Sequence, residues 1–110
     1  MITSKECMQE VLRAVPGFRR AWEAHLASWG GEPAGLCNDM SEFSRYLKDL
    51  IRGGRMVGVR PAFDLAERLL EEGDETVKDA AATCFLENML AYASAGEIPA
   101  NTFVHLLGPK

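Results

Sequence analysis

Apolar residues recur every three or four positions along most of this chain, a spacing that places them on one face of a helix. Cys7, Met8, Val11, Leu12 and Val15 form the first such stripe, with Thr3 or Ser4 as cap, and Pro16-Gly17 interrupts it. Phe18, Trp22, His25, Leu26 and Trp29 form the second, which ends in the loop signal Gly30-Gly31-Glu32-Pro33-Ala34-Gly35. A third helix is expected to begin near Asn38, Asp39 or Ser41 and to bury Phe43, Tyr46, Leu47, Leu50 and Ile51 before Gly53-Gly54. Met56-Val57-Gly58-Val59 is too short to make a sheet alone and reads as a packed connection. Pro61 suits the first turn of a fourth helix, which carries Phe63, Leu65, Ala66, Leu69 and Leu70. Gly73, expected to adopt the left-handed conformation past a helix end, and Asp74 separate it from a fifth helix. That helix runs from Glu75 to about Ala95, where Gly96 ends it, and a last short one starts near Pro99.

The pattern predicts an all-α fold of five or six helices, arranged as a compact bundle or a short α-solenoid-like stack. Residues 1–110 are expected to form one helical domain, since this length is near the commonest domain size. The 47% hydrophobic and 25% charged content is ordinary for a globular chain and excludes a disordered or fibrous one. No apolar run reaches the roughly 18–20 residues that cross a bilayer, and the N-terminus lacks the basic-then-apolar pattern of a signal peptide. The expectation is a cytoplasmic protein with no membrane partner.

The fourth and fifth helices have a more specific order of residue types. Phe63–Leu70 is leucine-rich, Gly73-Asp74-Glu75-Thr76-Val77-Lys78 makes a tight turn, and Ala80-Ala81 precede Cys84-Phe85-Leu86. This hairpin, Arg60 to Tyr92, resembles a HEAT repeat over about 30 residues, with no second clear copy of the Asp-x-x-Val-Lys turn. The resemblance implies that Asp74 caps the second helix and that Val77, Ala80 and Ala81 pack against the first. Thr83–Leu90 and Phe103-Val104 through Pro109 also resemble small bacterial helical proteins of uncharacterised families, some of which are immunity partners of secreted toxins. That likeness implies no particular site residues, and by it a chain would be expected to continue past Gly108-Pro109.

Charge is distributed unevenly around the hairpin. From Arg45 to Arg60, five bases (Arg45, Lys48, Arg52, Arg55, Arg60) against Asp49 leave +4. From Asp64 to Asp79, seven acids against Arg68 and Lys78 leave −5. Such faces are commonly solvated surfaces that partly neutralise each other. The functional alternative is an acidic ridge of Glu67, Glu71, Glu72, Asp74 and Glu75 that docks on a basic partner, with the charge raising association rate and specificity. Trp22 reads as core, and Trp29, beside the Gly/Pro loop, reads equally as core or as an interface anchor.

The remaining chemistry is sparse. Cys7, Cys37 and Cys84 are odd in number and lack paired spacing, so reduced thiols in the core are expected. His25 on an apolar face reads as a hydrogen-bonded, half-buried residue, and with His105 and lone cysteines as the remaining donors no metal is expected. There is no G-x-S-x-G, no glycine-rich phosphate loop and no paired carboxylates in a catalytic context, so neither cofactor nor catalytic residues are expected. A reactive thiol at Cys37-Asn38-Asp39 has no histidine close in sequence to activate it. The net charge of −4 weighs against nucleic acid, though Arg45, Lys48, Arg52 and Arg55 leave a regulator as a lesser alternative. The expectation is a protein-binding domain, immunity or antitoxin-like, that occludes a basic toxin enzyme. The alternative is a structural or adaptor module that self-associates as a homo-oligomer.

Overall fold

The computed structural model describes residues 1–31 and 35–99. Helix α1 spans Ser4–Ala14, and a 3₁₀ turn, Pro16–Phe18, leads into α2, Arg19–Ser28. Helix α3 spans Leu36–Arg52 and α4 spans Val59–Glu72. Helix α5, Glu75–Ala81, passes through a π turn, Ala82–Leu86, into α6, Glu87–Ser94. The last three are one continuous helical run, ended at Gly96, whose φ of +79° suits a residue without Cβ. The described residues form an all-α compact bundle of five helical rods. The helix expected from about Pro99, with Phe103, Val104, Leu106 and Leu107, lies but for its first residue outside the described residues.

The first helix starts where its sequence provides a cap. Thr3 donates from its backbone N–H and its hydroxyl to the Glu6 carboxylate, both at 3.0 Å. Those bonds, the backbone one first, hold the Glu6 carboxyl below its ordinary range. Val59 begins α4 two residues before Pro61, which therefore falls in the first turn as its missing N–H requires. The preceding connection is less packed than expected: Val57 is 93% exposed and Met56 half-exposed.

The apolar stripes meet in one core. Phe18, Phe43, Phe85 and Phe63 form a chain of ring contacts, with centroids 5.1, 5.3 and 5.6 Å apart in that order. They come from the 3₁₀ turn, α3, the π turn and α4, so a single aromatic seam joins four segments of the chain. Val77, Ala80 and Ala81 are buried as the hairpin requires. Asp74 accepts the Val77 N–H at 2.9 Å and caps α5.

Two local details of that hairpin differ from expectation. Gly73 has φ −76° and ψ 158°, an extended conformation open to any residue. The reason for glycine is close approach: a Cβ there would come within 2.5 Å of the Leu69 carbonyl oxygen and would overlap Val77. Ile2 also clips onto the turn, donating to the Glu72 carbonyl at 2.7 Å and accepting from the Asp74 N–H at 2.9 Å. The chain start thus covers one side of the α4–α5 turn.

The cysteines overturn the expectation of three reduced thiols. Cys37 and Cys84 form a disulfide, with Cα atoms 5.3 Å apart across 47 residues. The bridge ties the first turn of α3 to the π turn, a pairing invisible to spacing because two separate helices bring the cysteines together. Cys7 alone is a free thiol, fully buried on α1.

Candidate functional site

Helix α3 begins at Leu36, earlier than the good caps at Asn38, Asp39 and Ser41, because Gly35 takes the cap position. This moves Asp39 into the first turn and inward, where it is buried. Its carboxylate lies 2.9 Å from His25 Nε2 on α2, in a pair whose side chains are only 8% and 3% exposed. Glu42, one turn along α3, faces the other ring nitrogen at 3.9 Å. His25 is therefore held between two carboxylates, in line with its reading as a hydrogen-bonded histidine.

Around this pair is an open polar cleft of about 450 Å³. His25, Ser28 and Trp29 line it from α2 and its end, Asn38, Ser41, Glu42 and Arg45 from α3, and Tyr92 from α6. Trp29 stands at its rim, 54% exposed, whereas Trp22 on the same helix is buried beside Phe18. The open question over the two tryptophans thus resolves by position: Trp22 packs in the core and Trp29 faces solvent.

Ser41, which lines the cleft, belongs to a side-chain network at the π turn. A π turn disturbs the regular i→i+4 ladder and leaves carbonyls in need of donors. The Cys84 carbonyl accepts from Asn88 Nδ2 at 2.9 Å and from the Ser41 hydroxyl at 3.5 Å. Asn88 also donates to Ser41 Oγ at 3.1 Å, and the buried Ser44 hydroxyl donates to the Ser41 carbonyl at 2.7 Å. Among the described residues no buried side-chain polar atom lacks a partner.

The acidic residues are arranged separately. Glu67, Glu71, Glu72 and Glu75 are exposed around the α4–α5 turn, and Asp74 is committed to capping α5. Arg68 partly offsets Glu72 at 3.9 Å while also reaching Glu10 at 3.4 Å. None of these five acids lines the Trp29 cleft. The structure therefore gathers the acids at one turn and sets Trp29 in a different site. The basic residues are partly tied down as well: Lys48 and Arg52 pair with Glu97 at 3.6 and 3.5 Å, and the Lys48 ammonium sits 4.8 Å from the Tyr92 ring centroid.

Among the described residues no group of three His, Cys, Asp or Glu side chains is placed to hold a metal ion. Burial, followed by the charges of Asp74, Asp39 and Glu10, pushes the Cys7 thiol up to about 12, so it stays protonated and unreactive at neutral pH. None of the described helices is long and apolar enough to cross a membrane.

Residues 8–110 match the model of a family described as a domain of unknown function, DUF7674. The chain belongs to the DUF7674 family. No curated protein and no solved structure matches it. The part of this DUF7674 chain that matches contains His25, Trp29, Asp39 and both bridged cysteines, and excludes the Ile2 clip and the Thr3 cap.

Sequence reasoning found Trp29 and His25 but missed their partners. Asp39 and Ser41 were expected as caps, and Glu42, Asn88 and Tyr92 carried no signal of a site. Ser41 and Glu42 line the cleft from α3 and Tyr92 from α6, and Asn88 bonds to Ser41, over separations that no local pattern encodes.

Proposed function

We propose that this chain is a protein-binding domain, of the immunity or antitoxin kind, that holds a basic partner enzyme through the Trp29 cleft and is steered to it by the acidic α4–α5 turn. The observation that carries this reading is Trp29, 54% exposed at the rim of a polar cleft. A tryptophan left in water gains most when a partner covers it, which is why this residue is enriched at binding hot spots. Glu67, Glu71 and Glu75, exposed around the α4–α5 turn, would raise the encounter rate with a basic protein.

Binding is favoured over catalysis by the state of the cleft's polar groups. His25 is occupied by Asp39, the Ser28 hydroxyl donates to the His25 carbonyl at 2.8 Å, and Ser41 serves the π-turn network. Among the described residues, the Ser28 and Ser41 hydroxyls of the cleft are engaged elsewhere and not paired with the imidazole as a nucleophile would be. The nucleic-acid alternative loses support from the Glu97 pairs, which take up Lys48 and Arg52. The cytoplasmic setting of this reading sits uneasily with the Cys37–Cys84 bridge, because disulfides persist mainly in oxidising compartments.

Crosslinking in the native host followed by co-purification tests the reading. A basic protein encoded beside this gene should be recovered with the wild type and lost with Trp29→Ala. Recovery of the same proteins by both would reject the cleft as the binding site.

A further inference from the structure

Cys37 and Cys84 differ sharply in exposure. Cys37, the second residue of α3, is exposed, and Cys84 in the π turn is 6% exposed. Both line a second open cleft of about 430 Å³, whose other walls are Leu36, Thr76, Asp79, Ala80 and Thr83. A structural bridge sealed in a core offers no line of approach to a thiol. This one has an accessible sulfur-bearing residue on the surface and an opening beside it large enough for a small molecule.

We propose that Cys37–Cys84 is a thiol–disulfide exchange site, opened by a small thiol that attacks Cys37 from this cleft. The thiolate of a reductant of the glutathione class forms a bond to Cys37 Sγ. The S–S electron pair leaves with Cys84, whose thiolate takes a proton from solvent. A second reductant thiolate then attacks the mixed disulfide, forming the oxidised reductant and releasing Cys37 as a thiolate. Two electrons and two protons pass in all from two thiols to the bridge, which ends as two thiols.

The consequence reaches the Trp29 cleft. Asn38 follows Cys37 directly, and Ser41 hydrogen-bonds the carbonyl of Cys84 itself. Opening the bridge removes the covalent tie between the first turn of α3 and the π turn and leaves that register to Ser41 and Asn88. The bridge thereby couples the redox state of the surroundings to the wall of the binding cleft. The chemistry of exchange is independent of which partner that cleft holds.

Cys7 supplies an internal control, since it is fully buried and labels only when the fold opens. The native protein is incubated with reduced glutathione, trapped with N-ethylmaleimide at intervals, and mapped by mass spectrometry. The expected result is a glutathione adduct on Cys37, followed by labelling of Cys37 and Cys84 at least tenfold faster than Cys7. In parallel, Cys84→Ser should take up glutathione from oxidised glutathione at Cys37 at least tenfold faster than Cys37→Ser does at Cys84. The proposal is overturned if the bridge opens only in step with Cys7 labelling, if the first adduct forms on Cys84, or if air-purified protein carries both thiols free. The wild-type measurement decides the question even where a serine variant fails to fold.

Discussion

At the scale of single residues, stability rests on groups whose polarity conflicts with where they are. Asp39 is an acidic side chain in the interior, and His25 is one of the groups that hold it there, at 2.9 Å. Removing His25 takes one hydrogen bond from a buried carboxylate and leaves a gap in the packing beside Trp22. His25→Ala should therefore destabilise the fold by about 2 kcal/mol in urea titration, with the slope of the transition unchanged. Cys7 makes an opposite kind of prediction. Its thiol is raised in the folded state from an ordinary value of 9.0 to about 12, so the folded protein keeps a proton that the unfolded chain releases. The stabilisation this gives is complete below about pH 9 and is lost as pH rises toward 12. Thermal melts of wild type should fall across that window, and those of Cys7→Ala should fall less; parallel curves would contradict the assignment. Asp74 was legible in the sequence because a cap and its target lie three residues apart. His25 and Asp39, fourteen apart on different helices, were legible only as separate residues.

At the scale of elements, the helices and the hairpin followed from periodicity, because each stripe needs only its own segment to be read. Phe63, Leu65, Ala66 and Leu69 are all buried on α4, as their spacing demands. What periodicity missed is the interruption inside the last long helix. A π turn keeps the helical direction and shifts the face by a fraction of a turn, so the apolar pattern across Ala82–Leu86 looks unbroken. The Cys37–Cys84 bridge was missed for a related reason, since it depends on how α3 lies against that turn. Closing a loop of 47 residues restricts the unfolded chain, an effect worth about 4 kcal/mol by chain entropy. The double variant Cys37→Ser/Cys84→Ser should accordingly unfold at lower denaturant by about 2–4 kcal/mol, and reductant should then have no further effect on it. Equal stability of the wild type with and without reductant would show that the bridge does not constrain the fold.

At the scale of the whole molecule, the bundle displays two surfaces with different physical roles. The α4–α5 turn presents exposed acids that act over distance, and the Trp29 cleft presents an aromatic group that acts only on contact. The charge surface was legible from the sequence as a run, and the cleft was not, because it is assembled from α2, α3 and α6. These roles separate in kinetics: charge governs association and its dependence on salt, whereas a buried anchor governs dissociation. Glu67→Lys/Glu71→Lys/Glu75→Lys should slow association with a basic partner by roughly tenfold at low salt and leave dissociation nearly unchanged. The most direct test is the affinity of Trp29→Ala for the partner recovered from the native host, measured beside wild type by surface plasmon resonance. The reading of Trp29 as the anchor predicts a loss of about 2 kcal/mol or more, roughly 30-fold in Kd and mostly in dissociation rate. A variant that binds within twofold of wild type would contradict it.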